Sequence, residues 1–561
     1  MSEKGQIYSY HTFLYPFVWD NGGRTEREDF EQNLRGDWVE DNMITKDNQL
    51  SSVVAPQPWI DEQQNRLDYQ TFQYFNSAAR KALFRSDGSI VHGWLYRPAE
   101  IHNKGKYIIE AKGKKYELNI NHIKLQLFNT GVGILRFELE YSFPEGGIEQ
   151  ARRDIRAINE YGRRIYPEFL PSEIDGTKDN SFLKSNLCAS VITLDFGNGT
   201  VFCEQIESRA NAHIHIASGE IKSIEESYLN SPMQNDSFVT RLLLNKNDSL
   251  KIVPAVDDRM FVCCCIDDPE YVNHFMGYPA WPNDDNSVRR QKADWQFKTD
   301  WETGKELYAL INIDAGDSSC QNRIMLDRYF EEQLYLRWLE YGTIHAVTNH
   351  SMLCMTSRAV RDSVIYPFLI EYIPMCELVL AQRASLIAFD AKITDAIASS
   401  SNREGMKKEE LEQLIELQKK FTIFQGELLL AEITPQIQGI ELYDKLQKML
   451  FIQKLHDNIQ DQMKNLFELA EAEQAAKQGI IEKAFMVIAI LAVGSAWQDM
   501  YDFFSDVFPD ARISISCMNM EVPLLWLIIF VGVIVMVVFF FRNVIKDKYR
   551  DSRRKWHERN K

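Results

Sequence analysis

The side chains with the most chemical promise gather near the C-terminal end of this 561-residue chain. Asn519 closes the tripeptide Cys517-Met518-Asn519, which lies between two apolar segments. Asparagine amide oxygens arranged in a ring can hydrogen-bond the water shell of Mg²⁺, an ion that gives up its waters reluctantly. Upstream, Ile481, Phe485, Ile488, Ala492, Ser495, Asp499, Asp502 and Asp506 recur at steps of three or four and share one helix face. The first half of that face is apolar and suits a constriction that shuts by dewetting, while the second half is polar enough to hold water. The face is a candidate pore lining, with Met518 and Asn519 at its mouth and Asn519 as the metal contact. The alternatives are a solvated helix end outside the bilayer for residues 499–506 and a plain turn residue for Asn519.

Such a site needs two membrane spans to hold it. Residues 522–541, VPLLWLIIFVGVIVMVVFFF, carry no charge and are long enough to cross about 30 Å of hydrocarbon. Residues 484–497 are too short to span alone, but a helix over 480–504 spans if its polar side faces water. Nine Lys/Arg against three acids in 542–561 mark the cytosolic side. The connecting segment, with Asp499, Asp502, Asp506, Asp510 and Glu521 against Arg512, reads as external. The opening MSEKGQIYSYHTFLYPF has no apolar core of signal-peptide length, so both termini are expected in the cytosol.

Thr434-Pro435 reads as a helix cap followed by proline at the first helical position. From Leu442 to Ala470 apolar residues follow at an average step of 3.5, the coiled-coil spacing, which implies oligomerisation. One helix over 435–504 would be about 105 Å long and would carry a cytosolic signal into the bilayer. Residues 322–399 and 406–433 read as a helical hairpin. Strands are expected at 106–118, 123–128, 133–143, 189–196 and 259–266, with a helix over 147–165, which together predict an α/β or α+β cytosolic domain. The expected order is a sensor domain over 1–320, the hairpin over 321–434, a stalk over 435–479, spans over 480–504 and 522–541 around the loop 505–521, and a basic tail over 542–561.

Composition narrows the function. Charged residues at 25% and hydrophobic ones at 45% fit neither a disordered nor a wholly membrane-embedded chain. A net charge of −17 repels nucleic-acid phosphates over most of the surface. Three of the nine cysteines run together as Cys263, Cys264 and Cys265, which reads as reduced cytosolic thiols. P-loop, dinucleotide-binding and nucleophile-elbow motifs are lacking, so an enzyme is not expected. His213 and His215 share one side of a strand but have no evident third ligand, and His345 and His350 fall five apart on a predicted helix without sharing a face well.

The Met518-Asn519 pair, set between two spans after a long helix, resembles the CorA family of divalent-cation channels. In that family the motif is Gly-Met-Asn, so Cys517 departs from it. The resemblance covers residues 435–561 and, more loosely, the chain upstream. It implies a homopentamer in the bacterial inner membrane, a ring of Asn519 side chains, and Mg²⁺ or another divalent cation as permeant ion. The large N-terminal part further resembles the CorA-like effectors of type III CRISPR systems. That branch implies a nucleotide second messenger, of the S-adenosylmethionine–AMP type, bound in the cytosol, and membrane damage as the antiviral output. Basic residues near aromatics that would serve such a ligand are Trp94, Tyr96, Arg97, Arg152, Arg153, Arg156, Arg163 and Arg164. A housekeeping divalent-cation transporter and a non-conducting membrane-anchored scaffold stand as alternatives.

Overall fold

The computed structural model describes residues 6–21, 26–40, 69–84, 90–96, 105–164, 189–205 without 198, 237–245, 250–276 without 258, 299–357 without 315–317, 360–401 and 408–468, then 503, 506–507, 512–515, 520–523 and 532. The chain divides into two units, Met1–Leu466 and Phe467–Lys561.

The first unit is built on one 13-stranded sheet. Its strands are β1 (Ile7–Asn21), β2 (Trp38–Glu40), β3 (Val91–Tyr96), β4 (Lys106–Ala111), β5 (Lys114–Phe128), β6 (Val132–Ser142), β7 (Val191–Asp195), β8 (Val201–Gln205), β9 (Leu250–Pro254), β10 (Phe261–Asp267), β11 (Leu334–Tyr335), β12 (Ile344–Val347) and β13 (Ser351–Thr356). The main path runs β11-β12-β13-β10-β1-β6-β5-β4-β7-β8, with β9 also on β1 and with β3, carrying β2, on β5. β10 and β13 run parallel, whereas β1 is antiparallel to β6, β9 and β10. Pro16 has no N–H for a ladder, and it falls where β1 passes from its β10 register to its β9 register.

Helices cover both faces. Residues on one side of β1 meet α1 (Gly147–Gly162), where His11 Nδ1 lies 2.7 Å from Asn159 Oδ1 and the Tyr107 hydroxyl donates to the Gly162 carbonyl at 2.9 Å. Gly162 has room for no side chain there, because a Cβ would lie 2.8 Å from Phe13 and Ile109. After α2 (Arg323–Gln333) comes α3 (Ile373–Ser401), which packs on β1 and β6 from the opposite face. There Arg136 donates to Glu377 Oε2 at 2.6 Å, and the Thr130 and Ser385 hydroxyls meet at 2.7 Å. With both faces covered, β10 is buried along its whole length, which accounts for its unalternating sequence FVCCCID. The seven cysteines among the described residues are unbridged.

Two expectations change, at residues 334–356 and in the long helix, and a core helix lies between them. First, α2 starts on the Asn322 cap, whose side chain accepts from the Met325 N–H at 3.0 Å, but residues 334–356 then form β11, β12 and β13 rather than more helix. IHAV and SMLCMT are buried on both faces, so they carry no strand alternation to separate them from a helix. His345 and His350 therefore lie on and beside strands. Among the described residues one helical stretch, Asp362–Ile397, is long and apolar enough to cross a membrane, yet 78% of its apolar window is buried in this fold, as befits a core helix. It leads through α4 (Lys408–Glu427), with Phe389 against Phe421 and Phe424.

Second, the long helix is interrupted. Its first section, α5 (Ile437–Met449), begins with Gln436 as its cap, while Thr434 is buried and donates to the Tyr74 carbonyl at 2.7 Å. The helix stops at Leu450 and Phe451, Phe451 adopting φ +57°, and resumes over 452–468. Leu442, Leu446, Met449, Ile452, Ile459, Met463 and Leu466 are buried within the single chain. Of the same series Leu455 is half-buried and Ala470 lies outside the described residues.

In the second unit, β14 (Arg512–Ile515) pairs antiparallel with β15 (Met520–Pro523). Val522 and Pro523, expected to open the second span, are extended. Asp506 has helical backbone and is exposed, as are Phe503 and Val507.

Candidate functional site

Of the proposed ion path, Ile481, Phe485, Ile488, Ala492, Ser495, Asp499, Asp502, Met518 and Asn519 lie outside the described residues, as do Cys517 and Arg97 of the ligand set. The remaining ligand candidates divide among different surroundings. Tyr96, on β3, is buried against Trp38, Phe196 and Phe202, which makes it a core residue. Trp94 packs on the same core with its ring 4.8 Å from that of His92.

The arginines of α1 also separate. Arg152 grips Asp268 with two bonds, Nε to Oδ2 at 2.7 Å and Nη2 to Oδ1 at 3.0 Å, and covers the Tyr271 ring at 4.8 Å. The same carboxylate takes the Tyr8 hydroxyl at 2.8 Å and the Tyr271 N–H at 2.9 Å, so this is a fully engaged network that ties β1 and α1 to the residues after β10. Arg156 donates to the Asp314 carbonyl, and Arg153 is exposed. These three do not converge with Trp94 or Tyr96.

Arg163 and Arg164 are buried on Glu160 and do not line the cleft described next, but the chain that carries them runs beside it. Both donate to Glu160, at 2.8 and 2.7 Å, and the chain following α1 bridges to the lead-in of β10, with Arg164 opposite Arg259 and the Met260 N–H on the Arg163 carbonyl at 2.8 Å. Beside this bridge a cleft of about 110 Å³, partly open to solvent, is lined by Asp257, Arg259, Asn349, His350 and Arg383 over an apolar floor of Pro16, Val256, Met260, Phe261 and Leu380. Three elements supply its polar groups: the turn before β10, the β12–β13 turn, and α3. Arg259 donates to Asp257 at 2.7 Å.

Electrostatically the cleft is donor-rich. Among the described residues, Arg259 and Arg383 line it against the carboxylate of Asp257, while Arg163 and Arg164 beside it are held by Glu160. Burial lowers the proton affinity of Arg163 and Arg383. His350 is pushed down to about 4 by burial and then by Arg163, Arg259 and Arg383, so its imidazole is neutral at pH 7. Arg163 is 3% exposed, and among the described residues its Nε and Nη1 have no hydrogen-bond partner, nor does Nε of Arg383. Each such buried donor costs about 1–3 kcal/mol. The sequence signal for Arg383 was its position inside the apolar run ELVLAQRASLIAF, where a lone cation is out of place.

Among the described residues no group of three or more His, Cys, Asp or Glu side chains is placed to hold a metal. Comparison with family models, curated proteins and solved structures finds no match to this chain.

Proposed function

We propose that this protein is a CorA-like cation channel of the cell membrane, gated by its large α+β domain in response to an anionic nucleotide, and that it acts as an antiviral effector of the type III CRISPR kind. The observation that carries the reading is the charge-free segment 522–541, followed by nine basic residues and preceded by an acidic stretch that contains Met518-Asn519. The donor-rich cleft supports the gating half, since an anionic effector needs a place where cations outnumber carboxylates.

A ligand gates only through a difference in affinity between two arrangements, about 5.5 kcal/mol to move a gate from 1:99 to 99:1. Phosphate groups held by several guanidinium donors are a source of that size. The break at Leu450–Phe451 provides two rigid helical sections, so gating can take the form of a changed angle between them. Purified full-length protein in liposomes should pass divalent cations when the nucleotide is present, and Asn519→Ala should lose ion selectivity. Background flux from both proteins would reject the channel and favour the scaffold; flux indifferent to nucleotides would favour the transporter.

A further inference from the structure

Among the described residues the cleft beside α3 sets two guanidinium groups against one carboxylate, Asp257, which takes Arg259, while Nε of Arg383 has no acceptor there. Arg383 comes from a helix, Arg259 from the turn before β10, and Asn349 and His350 from the β12–β13 turn, so the polar groups approach from three directions. Outside the lining, Arg163 has two buried N–H groups with no acceptor among the described residues and lies close enough to His350 to lower its proton affinity. A carboxylate is planar and satisfies one guanidinium fork, whereas a tetrahedral phosphate offers acceptor oxygens in several directions at once. The remaining wall is apolar, and the cleft, about 110 Å³ and partly open, takes a phosphate at its polar end and leaves the rest of a larger molecule lying over the apolar floor toward solvent.

We infer that this cleft is a binding site for an organic phosphate, the phosphate held by Arg383 and Arg259 with Asn349 beside it, and the body of the molecule lying over Val256, Met260, Phe261 and Leu380. The inference deepens the gating proposal by giving the effector a site. Its regulatory role rests on that proposal, but binding itself does not. A purely inorganic phosphate would use the same guanidinium groups and leave the apolar floor empty.

The test is titration of the full-length protein in detergent with pyrophosphate, AMP and adenosine at constant ionic strength, followed by calorimetry. AMP should bind, pyrophosphate more weakly, and adenosine not measurably. Arg383→Met should weaken AMP at least tenfold, as expected for loss of a charge-assisted pair. Without ligand the same variant should unfold no earlier than wild type, because it removes a half-buried cation whose Nε has no acceptor among the described residues. Arg153→Met, at an exposed arginine of α1, should bind as wild type does. As a measurement that needs no variant, phenylglyoxal modification of Arg383 in the wild-type protein should be slowed by AMP.

Equal losses in the Arg383 and Arg153 variants, absence of binding by both phosphate probes, or Arg383 labelling indifferent to AMP would overturn the site. Pyrophosphate bound as tightly as AMP would overturn the organic part of the claim. Binding by a protein whose liposomes stay tight would leave the cleft standing and remove the channel, while nucleotide-dependent flux that survives Arg383→Met would do the reverse.

Discussion

Glu371 gives the sharpest pH test of the fold. It is 6% exposed, just before α3, and its hydrogen-bond partner is the amide of Gln70 at 3.4 Å. Burial raises its carboxyl from the ordinary 4.5 to about 7. At 1.36 kcal/mol per pH unit, this difference amounts to about 3 kcal/mol. The sign follows from which form the fold prefers. The native state holds the proton more tightly than the unfolded chain, so the contribution is complete below about pH 4.5, declines as pH rises toward 7, and is gone above it. Glu371→Gln keeps the shape without the ionisation. The variant should match wild type near pH 4.5 and exceed it by about 3 kcal/mol at pH 7.5 and above. His345, held down to about 3 by burial, stays neutral throughout and does not confuse the comparison. Denaturant midpoints followed by tryptophan fluorescence, for both proteins between pH 4.5 and 8.5, provide the measurement. A gap that stays constant with pH, or that widens toward acid, would refute the reasoning.

The Arg136–Glu377 pair, 8% and 1% exposed, fastens α3 to the sheet. Glu377→Ala should cost about 1–3 kcal/mol, because Arg136 loses one buried acceptor but keeps Glu138 at 3.0 Å, and Glu377→Gln should recover part of it, both read from denaturant midpoints. Gly162→Ala pushes a methyl into Phe13 and Ile109 and should destabilise by about 1–3 kcal/mol, visible as faster amide exchange in α1. Phe451 is 51% exposed at φ +57°. Phe451→Gly should therefore stabilise the protein by about 1 kcal/mol, and a thermal midpoint lower than wild type would show that its side chain is needed at the break.

Several elements were legible because their sequence alternates or is capped: β6, β7, α1 and the helix start at Asn322 fall close to the expected bounds, whereas the expected strand 106–118 runs across the turn at Lys112-Gly113 that separates β4 from β5, and β5 continues without a break through 119–122. β1 was not, since its run of aromatics is broken by Pro16 and only its change of partner makes a proline tolerable there. The strands β12 and β13 were hidden by burial on both faces. For the site, Arg163 and Arg164 were chosen as basic residues near aromatics but are held by Glu160, and Arg152 and Arg156, chosen on the same grounds, are engaged by Asp268 and the Asp314 carbonyl. Sequence spacing cannot reveal partners more than a hundred residues away, and Arg383 joins the cleft through such a distance.

The central strand also shapes how the chain is made. β1 leaves the ribosome well before its neighbours, since His11 pairs with Leu139 on one side and Cys264 on the other, about 130 and 250 residues downstream. Until these have been translated, its aromatic-rich stretch has two open edges. The nascent protein should accordingly depend on holdase chaperones, and ribosome-bound chains shorter than about 270 residues should be degraded or aggregate, whatever ligand the finished molecule later meets.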